Sequence, residues 1–294
     1  MTALEVTLRK FKFTRILSHD TRNKLVYVLG NVDDQLAILS FERAQYDDAL
    51  IPELAKHTCQ LQDVIENNIY GWALGNIDIQ QPDTRIKIIY PATELHVKKY
   101  EQQDRRMIVE TPTMYRDITR PYIQSLPSER IQWVTNILNG TSEADRIIYR
   151  DNDPQNGFVI LPDMKWDGTC ESLYWVAIAF RNDITCLRDL TPAHIPLLKS
   201  IQKAAYEKVK ENTNLDADQL RLFIHYQPSY YHFHVHITAI AFADAPGVVA
   251  GQAHLLDNVI DNIEMYPEYY QRATLPFVIG NNHPLYLAHH PQSE

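Results

Sequence analysis

Three histidines at alternate positions, His232, His234 and His236, are the residues of this chain best suited to do chemistry. The run around them, which extends to Phe242, is largely apolar and contains neither Gly nor Pro, so it predicts a β-strand. Side chains of a strand alternate between its two faces, and we therefore expect the three imidazoles on one face. The apolar residues between them would then pack on the opposite face, against the core.

Three uses of such a triplet are open from these residues alone. The histidines could be structural, although burying three titratable rings without a function would reduce stability. They could bind zinc, because His-x-His on a strand supplies two or three ligands and leaves one position for water. They could also attack phosphorus, because a neutral imidazole is a nucleophile when an acceptor orients its second nitrogen and neighbouring groups hold the phosphate oxygens.

The composition excludes several classes of protein. The chain has 294 residues, of which 45% are hydrophobic and 22% charged, as in a soluble protein of two domains. Its net charge of −9 and scattered Lys and Arg argue against binding of long nucleic acid, although a short anionic ligand remains compatible. Three widely spaced cysteines indicate a reducing compartment and no Cys-rich zinc site. Without an apolar run or signal-peptide pattern, we expect no membrane association and a cytoplasmic protein, with a nuclear pool as a further expectation.

Hydrophobic patterning predicts an α+β protein with two domains. The first hundred residues contain three segments rich in Val, Ile and Leu: Lys24–Gly30, Leu36–Glu42 and Arg85–Tyr90. A highly charged run, Lys98–Arg106, separates them from a half in which helices alternate with strands that look antiparallel. We predict a smaller, strand-rich N-terminal domain over 1–100, a hinge at about 99–106, and a C-terminal domain over 107–294 with an antiparallel sheet flanked by helices.

The pattern His-φ-His-φ-His-φ-φ over 232–238 resembles that of the histidine-triad superfamily of nucleotide hydrolases and transferases. Its last position is Thr238 rather than an aliphatic residue. In that superfamily the middle histidine forms a covalent nucleotidyl-histidine, which water resolves, and no metal is needed. The resemblance therefore implies that His234 is the nucleophile, that His232 and His236 assist it, and that no cofactor or metal takes part.

Longer segments resemble one branch of that superfamily, the scavenger mRNA decapping enzymes. The resemblance extends from about Asn67 to the C-terminus and is carried mainly by residues 90–93, 145–147, 152–166, 187–192 and 224–236. It implies cleavage of m7GpppN, either the cap dinucleotide or the short capped remnant left by 3′-to-5′ decay, to m7GMP and a nucleoside diphosphate. It also implies a homodimer with interlocked N-terminal domains, which act as a lid over the active sites.

The same resemblance assigns a cap-binding site. N7-methylguanine is positively charged, so its pocket needs an electron-rich aromatic face, and the matching residue is Trp133. Glu143 matches the acceptor for the base edge, and Asp163 matches the ribose contact. Lys165 matches a phosphate contact, and Met164 stands where a leucine is expected to close the other face of the base. The remaining residues that match cap- or phosphate-binding positions are Asn67, Tyr70, Pro162, Tyr174, His225, Ser229 and Tyr230.

One position departs from the family. Gln252 stands where an arginine near the phosphates is expected, and Lys99 could compensate for the missing charge. Three other functions stay open at this point. The chain could be a general histidine-triad hydrolase of dinucleoside polyphosphates or nucleoside phosphoramidates, which would show no preference for N7-methylation. It could be a non-catalytic module that binds cap remnants, or a zinc hydrolase.

Overall fold

The computed structural model describes residues 2–44, 51–54, 58–77, 83–164 and 166–291. Contacts between Cα atoms divide the chain into two compact units, Met1–Gln103 and Asp104–Glu294. Both units combine helices with antiparallel strands, which is the α+β fold class that the sequence predicts. Within the described ranges no helix is both long enough and apolar enough to cross a membrane.

The N-terminal unit is built on a four-stranded antiparallel sheet with the order β1-β2-β3-β6. Its core includes Leu17, Leu29 and Ile38 from the strands and Val97 from the last helix. Two further strands, β4 and β5, form a separate hairpin. The elements are α1 (Ala3–Lys10), β1 (Lys12–Asp20), β2 (Leu25–Val32), β3 (Gln35–Arg43), α2 (Ile51–Leu54), β4 (Thr58–Asn67), β5 (Tyr70–Ile77), β6 (Thr84–Ile89) and α3 (Glu94–Tyr100).

The C-terminal unit contains a six-stranded antiparallel sheet with the order β13-β11-β12-β10-β9-β8, and a separate ribbon of β7 and β14. Its helices and strands are β7 (Arg105–Glu110), α4 (Pro112–Met114), α5 (Arg120–Ser125), α6 (Gln132–Leu138), β8 (Tyr149–Asp151), β9 (Phe158–Pro162), β10 (Tyr174–Ala179), α7 (Ile195–Thr213), β11 (Leu220–His225), β12 (His234–Ala239), β13 (Ala253–Leu255), α8 (Leu256–Met265), α9 (Tyr269–Arg272), β14 (Leu275–Gly280) and α10 (Pro284–His289). A π-helical turn, Tyr115–Thr119, joins α4 to α5.

Helices cover the two faces of this sheet unequally. The long helix α7 buries Leu198, Ile201 and Val209 at helical spacing against one face, and α8 adds Val259 and Ile260 to the same core. The short helix α6 covers part of the opposite face through Val134 and Ile137. The larger core therefore lies on the face covered by α7 and α8, and the smaller one lies under α6.

Several predicted segments match the strands closely. Lys24–Gly30, Leu36–Glu42 and Arg85–Tyr90 correspond to β2, β3 and β6 within one or two residues at each end. The predicted hinge, at about residues 99–106, covers the end of α3, a bend and the start of β7. The strand β1 and the hairpin β4–β5 lacked a clear apolar alternation and were not predicted.

Candidate active site

The triad strand begins later than the sequence predicts. β12 starts at His234, so His232 lies in the bend before it instead of in the strand. The chain still joins the sheet at Phe233, whose carbonyl accepts from the Ala179 amide at 3.1 Å and whose amide donates to the Ile184 carbonyl at 3.1 Å. The alternation itself is correct, because Phe233, Val235 and Ile237 belong to the core beneath α7 and α8.

The hydrogen bonds of His234 define its reactive nitrogen. Its Nδ1 lies 2.8 Å from the backbone carbonyl oxygen of His232, and because a carbonyl can only accept, Nδ1 must carry the proton. In the neutral ring the lone pair is then on Nε2, which is buried and has no hydrogen-bond partner among the residues that the structure describes. Burial lowers the pKa of His234 to about 4, so the ring is neutral at pH 7. These are the properties of a nucleophilic imidazole.

The two other triad histidines are also held by hydrogen bonds, close to His234. His232 donates from Nε2 to the Ala179 carbonyl at 2.7 Å, which fixes the segment whose own carbonyl orients His234. Burial lowers the pKa of His232 as well. His236 lies in β12 with its Nδ1 3.1 Å from the Tyr174 hydroxyl, and its ring stacks on Phe223 with centroids 5.2 Å apart.

A chain of aromatic rings leads from His234 to Trp133. The Tyr230 ring stacks on His234 with centroids 4.1 Å apart and an interplanar angle of 15°. The Trp133 indole packs against the same tyrosine edge to face, with ring centroids 4.8 Å apart. Trp133 is 44% exposed, although Val134 and Ile137 of the same helix are buried, so its ring is accessible beside the triad. His225 lies on the other side, 4.1 Å from the His236 ring.

The segment after β9 contributes the predicted polar contacts. Pro162 ends the strand, and the Asp163 amide donates to the Tyr174 carbonyl at 2.9 Å. Burial, and then the charge of Asp163, raises the pKa of the Tyr174 and Tyr230 phenols, which places this carboxylate near both rings. Met164 is 86% exposed. Lys165 lies outside the described residues.

Glu143 is connected to the same segment through an arginine. It is half-buried in a left-handed backbone conformation, with φ of 52°, and forms an ion pair with Arg146. The Arg146 guanidinium also donates to the Pro162 carbonyl at 3.1 Å. A carboxylate has more than one acceptor site, so Glu143 can receive further hydrogen bonds while it keeps this ion pair.

The remaining predicted residues are more exposed. Ser229 is exposed in the turn before Tyr230. Asn67 and Tyr70 are paired across the turn of the β4–β5 hairpin in the N-terminal unit, and both are exposed. Gln252 accepts a hydrogen bond from the Tyr226 amide through its backbone carbonyl at 2.8 Å, so it lies next to the residue that follows His225.

The structure adds residues that the sequence did not single out. A small cavity beside His225 and His234 is also lined by Thr185, Cys186 and Pro228. Gly247 packs directly against the His225 ring. These residues are brought together by long-range folding, and a lone Gly or Thr in a loop gives no signal of such a contact.

The histidine cluster could also hold a metal ion. Ring nitrogens of His225, His234 and His236 all lie within 4.8 Å of one another, and no other such group occurs in the described parts of the chain. Imidazole nitrogens are common zinc ligands, at 2.0–2.1 Å from the ion. The geometry alone therefore leaves metal binding and nucleophilic attack as two uses of the same rings.

Two family models match the chain. The scavenger mRNA decapping enzyme N-terminal model covers residues 6–103, and the scavenger mRNA decapping enzyme C-term binding model covers residues 132–247. An m7GpppX diphosphatase of Schizosaccharomyces pombe is 39% identical over 95% of this chain and 94% of its own length. The chain belongs to the scavenger mRNA decapping enzyme family. Family relatives named m7GpppX diphosphatase also include one of Homo sapiens, 40% identical over 94% of this chain and 83% of its own, and one of Caenorhabditis elegans, 37% identical over 95% and 90%.

Proposed function

We propose that this chain hydrolyses m7GpppX, the residual mRNA cap, at the phosphorus attached to m7G, releasing m7GMP and a nucleoside diphosphate. Family membership over nearly the whole chain supports this activity, because the relatives carry the name m7GpppX diphosphatase. The observation that carries the mechanism is the unpartnered Nε2 of a neutral, buried His234. A protein that only binds the cap has no need of a nitrogen prepared in this way.

The reaction proceeds by two displacements. His234 Nε2 attacks the phosphorus next to m7G, a nitrogen–phosphorus bond forms, and the bond to the bridging oxygen breaks so that the nucleoside diphosphate leaves. Water then attacks the same phosphorus, which frees m7GMP and restores the imidazole. His225, His236 and Lys165 stabilise the charge that develops on the phosphate oxygens, and His232 assists through the carbonyl that orients His234. A protonated triad histidine supplies the proton to the leaving group.

Cap recognition uses the aromatic chain beside the triad. The exposed Trp133 ring stacks on the cationic base, and the edge of the base donates to Glu143. Asp163, at the end of β9, contacts the ribose, and Met164 closes the opposite face of the base. Ser229, Tyr230 and Tyr174 line the path of the phosphates, with Pro162 at the entrance. The half-exposed indole and the proximity of Asp163 to Tyr230 support this arrangement.

The N-terminal unit forms the homodimer. The β4–β5 hairpin exposes its large apolar side chains on both faces, which is unusual for a strand pair that stays unpartnered. The side chains that are at least half exposed are Leu61, Val64, Ile65, Ile69, Tyr70, Trp72 and Leu74. Interlocking of two N-terminal domains would cover them, with Asn67 and Tyr70 reaching over the bound cap and a hinge at 99–106. A monomeric mass in light scattering at full activity would contradict the dimer.

We place the enzyme in the cytoplasm with a nuclear pool, to be checked by imaging of a tagged chain.

The decisive experiment compares hydrolysis of m7GpppG and GpppG in the presence of EDTA, with products separated by chromatography. Release of m7GMP and GDP, with GpppG nearly inert, is the expected result. Equal cleavage of both substrates would indicate a general histidine-triad hydrolase. Tight m7G binding without cleavage would indicate a cap-binding module.

A second candidate, a zinc hydrolase, is favoured by the convergence of His225, His234 and His236. The EDTA in the same assay tests it directly. Loss of activity with EDTA, and recovery on adding zinc, would replace the covalent mechanism by a metal-activated water.

A further inference from the structure

His225 is held between a glycine and the triad. On one side its ring centroid is 4.1 Å from that of His236. On the other side, a Cβ atom built on Gly247 would lie 2.1 Å from Nε2 and 2.5 Å from Cε1 of His225. Real Cβ atoms do not approach other atoms this closely, so only glycine is compatible with the observed ring position. Gly247 also has φ of +85°, which glycine adopts without strain.

The loop that carries Gly247 is fixed on both sides. Before it, the Ala245 amide donates to the Phe242 carbonyl at 3.2 Å, and Ala245 itself is buried. After it, the Gln252 carbonyl accepts from the Tyr226 amide at 2.8 Å, and the Gly251 carbonyl accepts from the Val278 amide at 3.0 Å. Any side chain at position 247 would therefore displace the His225 ring more readily than the loop backbone.

We propose that Gly247 is a positioning residue, whose bare backbone sets the distance of His225 from His236 and hence from the phosphate under attack. This inference rests on the proposed function for its catalytic consequence, since His225 is there a phosphate contact. With a methyl group at position 247, His225 moves toward His236 or out of the cluster. In both cases the charge stabilisation at the transferring phosphorus falls.

The test is Gly247→Ala beside a matched control, Gly251→Ala. Gly251 lies in the same loop with φ of +80°, but its Cβ would meet only the Met107 and Val278 side chains, at 3.2 and 3.3 Å. Both variants introduce alanine at positive φ, so backbone strain is common to both. We expect kcat for m7GpppG to fall at least tenfold in Gly247→Ala and less than threefold in Gly251→Ala. Equal effects in the two variants would overturn the proposal.

A double-mutant cycle separates action through His225 from general damage. His225→Ala removes the ring that the new methyl group would meet. We expect Gly247→Ala to change kcat less than twofold in that background. A tenfold loss there would show that Gly247 acts independently of His225 and would overturn the inference.

Histidine ring resonances measured by NMR without substrate distinguish this inference from the proposed function. The His225 and His236 ring signals, assigned from the single histidine variants, should shift in Gly247→Ala and stay in place in Gly251→Ala. Unchanged signals in Gly247→Ala would overturn the positioning role even if the cap were hydrolysed. Shifted signals would support it even if another nucleotide proved to be the substrate.

Discussion

Two buried polar clusters of the C-terminal unit have opposite chemistry. One is the ion pair of Glu110 and Arg188, whose side chains are completely buried and whose Oε1 and Nη2 atoms are 2.9 Å apart. All five guanidinium N–H groups have acceptors: Glu110, the Tyr226 hydroxyl, and the carbonyls of Tyr270, Ala273 and Glu110 itself. The other is the histidine triad, which is also buried, but its middle residue, His234, is uncharged at pH 7.

The two clusters differ in whether all of their buried polar atoms have hydrogen-bond partners. The Glu110 carboxylate also accepts from the Tyr226 and Thr119 hydroxyls, so the charged cluster is saturated with hydrogen bonds and inert. In the triad, within the described structure, His234 Nε2 is left without a partner. A buried polar atom without a partner is unfavourable for folding, so this nitrogen contributes nothing to stability, unlike the saturated groups of the ion pair.

The largest expected effect is that of His234→Asn, which removes the reactive nitrogen. Loss of a covalent nucleophile should reduce kcat by on the order of 10⁴-fold or more, while the amide can still donate to the His232 carbonyl and preserve folding. Steady-state hydrolysis of m7GpppG measures the loss of kcat. Binding of m7GMP, followed by tryptophan fluorescence, checks that the variant is still folded. His254→Asn is the control, because His254 also has a buried unpartnered Nε2 but lies outside the triad. A near-wild-type rate for His234→Asn would remove the nucleophile assignment.

Breaking the saturated cluster should affect stability instead. Arg188→Met leaves Glu110 buried without a counter-charge, and we expect the free energy of unfolding to fall by about 3–5 kcal/mol, measured by urea denaturation. Adding Glu110→Gln should recover part of this loss, because the uncompensated charge is then removed. A loss below about 1 kcal/mol in Arg188→Met would show that the pair is not the anchor that its burial indicates.

A smaller effect is expected in the pH dependence of stability. His234 has a pKa of about 4 in the folded chain, against about 6.5 when unfolded. Between these values the unfolded state binds a proton that the folded state does not, so the free energy of unfolding falls as pH decreases from about 6.5 to about 4. His234→Asn lacks this titration, and its stability should decline less over that window. If the free energy of unfolding changed with pH in the same way in the unmodified protein and in His234→Asn, the buried, neutral state of His234 would be contradicted.

The smallest effect is expected at an exposed ion pair. Lys199 and Glu264 are 2.6 Å apart, but their side chains are 56% and 44% exposed, so water screens the pair. Lys199→Met should change the free energy of unfolding by no more than about 0.5 kcal/mol and leave kcat unchanged. A loss comparable to that of Arg188→Met would mean that burial does not explain the difference between the two ion pairs.

The parts predictable from sequence are those with local signals. Period-two alternation gave the core face of β12 correctly, because each strand residue alternates independently of distant contacts. The predicted start of that strand is wrong, since β12 begins at His234 and not before His232. The hydrogen bonds of Phe233 to Ala179 and Ile184, which are distant in sequence, decide where His232 lies. The resemblance to the family predicts that Trp133 and Asp163 contact the cap, but only the structure describes what surrounds them.

The contacts that the sequence does not predict join residues that are far apart in the chain. Arg188 belongs to a segment that resembles the family, yet nothing local indicates that it meets Glu110, 78 residues earlier. A charged residue in a loop is exposed in most proteins, and local pattern alone would place it on the surface. The contact of Gly247 with His225 is hidden for the same reason, since it joins a turn to a strand end only in the folded chain.

The strand β12, which carries His234 and His236, lies inside the six-stranded sheet between β11 and β10. His236 pairs with Phe223 of β11 and with Val176 of β10, and His234, the first residue of β12, pairs with Ile178 of β10, so neighbouring strands hold the backbone of both histidines. Amide hydrogens in such a strand exchange with solvent at about the rate of global unfolding, whereas loop amides exchange through local opening. The backbone of His234 thus belongs to a strand that separates from its neighbours only when the sheet is disrupted. We therefore expect the loops around the sheet, and not β12, to adjust when the nucleotide X changes.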